Sequence, residues 1–207
     1  ERVGGAVTAG GCSSSTPTIA ITPAAGDLVV VIIAESSVPT SVADDQSHSF
    51  TKDVESTGVS IWSYYYASNS GQRTITVTLS GFVCSGIIAQ RYTGVASSSY
   101  VGTSDSNDNG YVGSGDHQWT TTTTPANYAA GSLLIAATTD SYGETTAYTA
   151  DSPYTAIAGP IGGSGARYVC AQDYVAASAG NDAATGHQTF TAQGRAYAVI
   201  VEYKAAP

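Results

Sequence analysis

Residues 105–116 carry the most chemically suggestive spacing in the chain. From Asp105 the sequence runs D-S-N-D-N-G-Y-V-G-S-G-D, which fits the D-x-[DN]-x-[DN]-G pattern of a calcium loop with an acid at its last position. Side-chain oxygens of Asp105, Asn107 and Asn109, the carbonyl of Tyr111 and the carboxylate of Asp116 would approach the roughly six to eight oxygens that Ca²⁺ takes. Gly110 would permit the sharp turn. The last position holds Asp rather than the longer Glu, and Asp, Asn and Gly are also the ordinary residues of an exposed turn. Calcium is therefore an optional ligand in this reading, and no cofactor is required.

Catalytic groupings are sparse. His48, His117 and His187 are scattered, and no Ser or Cys sits in a nucleophile setting. The Gly-rich GPIGGSG at 159–165 lies between β-type segments and opens no helix, so it lacks the context of a phosphate loop. Glu35, Asp140, Asp173 and Glu202 are the strand-borne acids, and Glu35 and Asp140 fall at equivalent places of an internal repeat, as polar strand ends do. The expected role is not enzymatic. Trp62, Trp119 and 14 tyrosines, among them Tyr64, Tyr65 and Tyr66, offer faces for sugar stacking or for ordinary strand packing. Of the three thiols, Cys12 sits in a mobile stretch and is the one expected to seek a partner. A bridge from Cys12 to Cys84 or to Cys170 leaves the third thiol buried, and a Cys84–Cys170 bridge is the competing arrangement.

The elements that must position these groups read as β throughout. Alternation is clear in RTITVTLS at 73–80, and VSIWSYYYA at 59–67 and RAYAVIVEY at 195–203 are rich in β-branched and aromatic residues. No window keeps helical apolar spacing. The chain is also duplicated. Ala25-Gly26-Asp27-Leu28 before an apolar run matches Ala130-Gly131-Ser132-Leu133 before another, and Tyr92 near the end of one unit matches Tyr203 near the end of the second. The expected fold is all-β, an antiparallel β-sandwich of jelly-roll or Ig-like type, internally duplicated, with an N-terminal extension. Its parts are an extension at 1–16, a first sandwich repeat at 17–95, a connector loop at 96–118 and a second repeat at 119–207.

Composition narrows the setting. Lys and Arg number 7 against 16 Asp and Glu, a formal charge of −9, which excludes a basic nucleic-acid footprint. The longest apolar run, LVVVIIA at 28–34, falls far short of the ~20 residues of a membrane-spanning helix. Charged residues make up 11% of the chain, against roughly 25% in average globular proteins. Ser and Thr, 26 of each, supply the polar surface instead. With no Met and a start at Glu1, the chain reads as a processed, exported protein.

Residues 1–16 are small and Gly-rich, with Val3, Gly5, Val7 and Ala9 on one side of a weakly alternating strand. Such a tail buries too little to offset its own ordering entropy, so it is expected to insert as a strand into a neighbouring subunit. The paired Ala-Gly-Asp/Ser-Leu motifs, the terminal Tyr92-Thr93 and Tyr203-Lys204 patterns, the hydroxyl-rich surface and this free strand resemble secreted archaeal and bacterial β-sandwich surface proteins. The resemblance is to subunits of donor-strand-linked extracellular filaments, of the thread or bundling-pilus type. It implies a cell-surface homopolymer joined through residues 1–16. No Asn lies in an N-x-[ST] sequon, which leaves O-linked sugars on Ser and Thr. The alternative is a glycan-binding or adhesive sandwich module, such as one in a phage or virus tail, with surface glycans as partners.

Overall fold

Runs of β-branched and aromatic residues, separated by Gly, Asn, Asp and Pro, form strands along the whole chain. The computed structural model describes residues 1–37, 39–68, 70–81, 83–121, 128–140, 145–162, 167–181 and 183–207, with the backbone alone at 12, 13 and 83–85. Among these there is no helix. In chain order the first half holds β1 (Arg2–Ser14), β2 (Thr18–Ile21), β3 (Asp27–Glu35), β4 (Pro39–Asp44), β5 (Thr51–Ser56), β6 (Val59–Tyr66), β7 (Arg73–Leu79) and β8 (Val83–Tyr92). The second holds β9 (Val101–Val112), β10 (Gly115–Thr120), β11 (Leu133–Asp140), β12 (Thr145–Ala150), β13 (Thr155–Ile161), β14 (Val169–Val175), β15 (Thr185–Phe190) and β16 (Gly194–Tyr203).

Each half is a sandwich of a five-stranded and a three-stranded antiparallel sheet. The five-stranded sheets run β1-β8-β3-β6-β5 and β13-β14-β11-β16-β9, and the three-stranded sheets run β2-β7-β4 and β10-β15-β12. The apolar pattern dictates how they stack. Every residue of β3 and of β11 is buried, so both strands need cover on two faces. Val29, Val31 and Ile33 point one way and meet Ile19, Val42, Ile75 and Val77 of the first three-stranded sheet. Leu28, Val30 and Ile32 point the other way and meet Ile135, Ala137, Val199 and Val201 of the second half. Leu134, Ala136 and Ile200 in turn close on Trp119 and Tyr128. The result is four layers, with the two large sheets face to face in the middle. The repeats thus form two sandwiches sharing a central apolar seam.

The duplication is longer than the sequence pattern indicates. β1 pairs with β8 in the first half as β9 pairs with β16 in the second, with Arg2 opposite Tyr92 and Val101 opposite Tyr203. Likewise β2 on β7 mirrors β10 on β15. Residues 1–16 are therefore no unmatched extension, and residues 96–118 are no simple connector loop. Both carry the edge strand that opens a unit. They escaped alignment because an edge strand has one neighbour and little to bury, so Gly-rich and Asp/Asn-rich sequences both serve.

The stacking makes a measurable claim about cooperativity. Trp62 belongs to the first half and Trp119 to the second, and they are the chain's two tryptophans. Ile32 is fully buried in the shared seam, so Ile32→Ala should lower stability by about 2–5 kcal/mol. In urea titrations of Trp62→Phe and Trp119→Phe backgrounds, the loss is expected to shift both tryptophan signals together. A shift confined to Trp62 would mean that the halves unfold independently.

Candidate functional site

The N-terminal strand is where the sequence located function, and its surroundings are quite different from those of a loose tail. The ladder begins at the first residue, with Thr93 N donating to Glu1 O at 2.8 Å and the Glu1 ammonium to Thr93 O at 2.6 Å. Val7 to Gly11 then pair regularly with Ala89 to Ser85. Between Val3 and Val7 the register slips, with Gly4 at φ +67°, and the buried amide of Gln90 donates to Val3 O at 3.0 Å. This bulge breaks the expected alternation. Val3 and Ala9 are half-buried, Gly5 is exposed and Val7 is 36% exposed. The expectation that Val3, Gly5, Val7 and Ala9 complete another chain's sheet is thus corrected: Val3, Val7 and Ala9 pair with β8 of their own sheet, and Gly5 lies in the bulge.

Arg2 supplies the restraint that the tail's composition lacks. Its Nε donates to Asp173 Oδ2 at 2.8 Å, and Nη2 also pairs with Asp173 Oδ1. Nη1 and Nη2 reach the carbonyls of Ala156 and Thr155 at 3.0 and 3.1 Å. The guanidinium thus fastens β1 to β13 and β14 of the other half. Tyr92, fully buried, donates its hydroxyl to the same Asp173 Oδ2 at 2.9 Å. Its counterpart Tyr203 donates to Asp53 Oδ2 at 2.6 Å, so each unit's last strand sends a tyrosine into the opposite half. The central seam is apolar within and closed by a tyrosine–aspartate pair on either side.

The calcium candidates do not converge in a loop. Asp105, Asn107, Asn109 and Tyr111 stand along β9, an extended strand, and Asp116 on β10. Asn107 donates to Thr120 O at 2.9 Å while Asn109 accepts from Thr120 N at 2.9 Å, so the two amides grip the end of β10. The Asp116 carboxylate accepts from His187 Nδ1 at 3.0 Å, and Arg195 lies 5.3 Å over the Tyr111 ring. Among the described residues no group of three or more His, Cys, Asp or Glu is placed to hold a metal ion. The Asp/Asn/Gly composition that mimics a calcium loop here decorates an exposed edge.

Nor, among the described residues, do the aromatics form a platform. Trp62 is 6% and Trp119 1% exposed, and Tyr66 is buried with its hydroxyl on Asp44 at 2.8 Å. Tyr64 stacks on His48 at 4.9 Å, and Tyr65 faces Tyr100 near the seam. Cys170 is a free, buried thiol, which removes both bridges that used it. Burial also raises its pKa, so it is a poor nucleophile. The side chains of Cys12 and Cys84 lie outside those described, but Gly11 opposite Ser85 and Ser14 opposite Val83 bracket the two residues on neighbouring strands.

No family model matches the chain. No curated protein matches it either. Among solved structures it is similar to the STIV MCP, a major capsid protein, with a TM-score of 0.29 and 11% identity over 98% of this chain and 97% of that one. So distant a likeness does not bear on function.

Two outcomes are expected. Peptide mapping without reductant should find Cys12 linked to Cys84 within one chain, and a Cys12–Cys170 peptide or an intermolecular ladder would contradict this. Burial pushes the Asp53 carboxyl up to about 6, only partly offset by the Tyr203 hydroxyl. A carboxyl raised above its unfolded value of about 3.9 adds stability below that value and loses it as pH rises through about 6. Wild-type Tm should therefore fall relative to Asp53→Asn between pH 4 and 7. Parallel profiles would show that the carboxyl is not desolvated.

Proposed function

We propose that the protein is a non-enzymatic structural module of an extracellular or viral surface that associates with copies of itself along the open edge of β1. The observation that carries this reading is a difference among the four edges of the two large sheets. β5 carries Lys52, Asp53 and Glu55, β9 carries Asp105 and Asp108, and β13 carries Pro160, while register shifts occur in all four edge strands and do not distinguish them. Charges, prolines and bulges are the usual devices that keep a sheet edge from recruiting another chain. β1 spans 13 residues with one charge, Arg2, and that charge is turned across the seam to Asp173. Over Val7–Gly11 its ladder is regular and free of charge and proline, and Val7 is among the most exposed large apolar side chains described.

Pairing β1 of one copy antiparallel to β1 of another would be self-complementary and closed by a two-fold axis. The strand stays in its own sheet, so this is edge addition and not strand donation. The surface, with 11% charged residues and abundant hydroxyls, supports an exported setting. The alternative of an adhesive, glycan-binding module loses its aromatic platform, since both tryptophans are buried.

Light scattering across a concentration series tests the proposal with an edge guard introduced by Val7→Lys. Wild type is expected to dimerise and Val7→Lys to run as a monomer. Stability should change within about 0.5 kcal/mol, as for an ordinary surface substitution. A wild type that remains monomeric, or a variant that still assembles, would overturn it.

A further inference from the structure

Val7–Gly11 is the longest stretch of β1 on which a second strand could build without interruption. The register slips between Val3 and Val7 and again between Gly11 and Ser14. Between the slips, Val7, Thr8, Ala9, Gly10 and Gly11 stand opposite Ala89, Ile88, Ile87, Gly86 and Ser85 in unbroken order. Alternation divides these residues between two faces. Ala9 packs against the interior of the first sandwich, so Val7 and Gly11 share that face. Thr8 and Gly10 turn toward the seam, where a Cβ on Gly10 would come within 3.1 Å of Gly162 O.

A cavity of about 360 Å³ opens beneath Ala9 and Gly11, floored by Ile87 and rimmed by Pro17 and the exposed Thr16 and Thr18. A Cβ at Gly11 would meet nothing within 4 Å among the described residues, yet a φ of +146° reserves that position for glycine, so β1 cannot fill the space from there. The second half closes the corresponding gap from within. Ile87, opposite Ala9, and Ala198, opposite Asn107, stand equally far before Tyr92 and Tyr203, so Asn107 occupies the place of Ala9. The amides of Asn107 and Asn109 bind the backbone of Thr120 and tie β9 to β10. Ala9 and Gly11 have no such reach toward β2. One unit covers this gap with its own side chains, and the other leaves it open beside an edge free of charge.

We infer that the pairing of β1 with a second copy is centred on Ala9, with Val7 of each copy capping the cavity beside Gly11 of the other. This rests on the self-association proposed above and fixes its register and its contact residues. A two-fold axis normal to the sheet passes through one residue of each strand, and only Ala9, the midpoint of Val7–Gly11, engages the whole regular stretch. Val7 then faces Gly11, Thr8 faces Gly10 and Ala9 faces its own copy. An axis moved toward either end runs into a register slip. Directly opposed residues of an antiparallel pair point to the same face, so the Val7 side chain arrives on the cavity side, beside a residue with no side chain to obstruct it.

Light scattering on full-length Ala9→Lys, Ala9→Glu and their equimolar mixture reads the register. Each variant alone sets like charges opposite one another at the axis and is expected to weaken the dimer about fivefold or more, while the mixture recovers as a one-to-one heterodimer. Val7→Lys mixed with Val7→Glu should not recover, because those charges lie four residues apart along the pair, roughly 13 Å. Isotope-filtered NOE spectra of wild type, assembled from labelled and unlabelled chains, decide the matter if the Ala9 variants misfold. Contacts between Val7 methyl groups of one copy and Gly11 of the other are expected. Folded Ala9 variants that dimerise like wild type or fail to recover on mixing, recovery at position 7, or Val7–Val7 contacts between copies would overturn the register and leave self-association standing. A monomeric wild type would overturn both.

Discussion

A strand that is apolar on both faces sets the terms for everything else in this molecule. In a two-layer sandwich one face of each strand meets solvent, and side chains alternate accordingly. β3 and β11 do not alternate: all nine residues of one and all eight of the other are buried. Each therefore requires a layer above and a layer below. The short sheets cover the outer faces, and the inner faces cover one another. Duplication solves the problem economically, because the surface one unit must hide has the same character as the surface its copy must hide.

That apolar seam brings polar obligations at its margins. Tyr92 and Tyr203 end β8 and β16, the strands beside β3 and β11, and their buried hydroxyls need partners inside the seam. Each finds an aspartate across the seam, Asp173 or Asp53. Arg2 joins the first of these pairs, and by doing so converts a Gly-rich segment with little to bury into an edge strand held along its length. The same fastening turns the one charge of β1 inward. What remains outside is an edge free of charge over Val7–Gly11, so the self-association proposed above would share a physical origin with the integrity of the seam in Arg2.

Much of this architecture is legible in the residues. The period-two pattern of 73–80, the absence of helical spacing and the matched Ala-Gly-Asp/Ser-Leu motifs identify a duplicated all-β chain, and the equivalence of Glu35 and Asp140 follows from the repeat. The unbroken LVVVIIA run already departs from one-sided alternation and carries the signal for burial on two faces. Long-range pairing is what composition does not reveal. The partner of Arg2 lies 171 residues away, so the first residues look unanchored. Residues 105–116 resemble a calcium loop because Asp, Asn and Gly suit turns and exposed edges alike. Glu35 and Asp140 look interchangeable in sequence, and only the hydrogen bonds that Asp140 accepts from Thr145 and Tyr168 separate them.

Hydrogen exchange under native conditions addresses the shared seam most directly. If β3 and β11 are the mutual cover of one four-layered core, their amides should be the slowest in the chain and should exchange together, through global unfolding alone. Exchange of β11 at a free energy well below that of β3, or the reverse, would contradict the account, because either half would then be stable with its inner face uncovered.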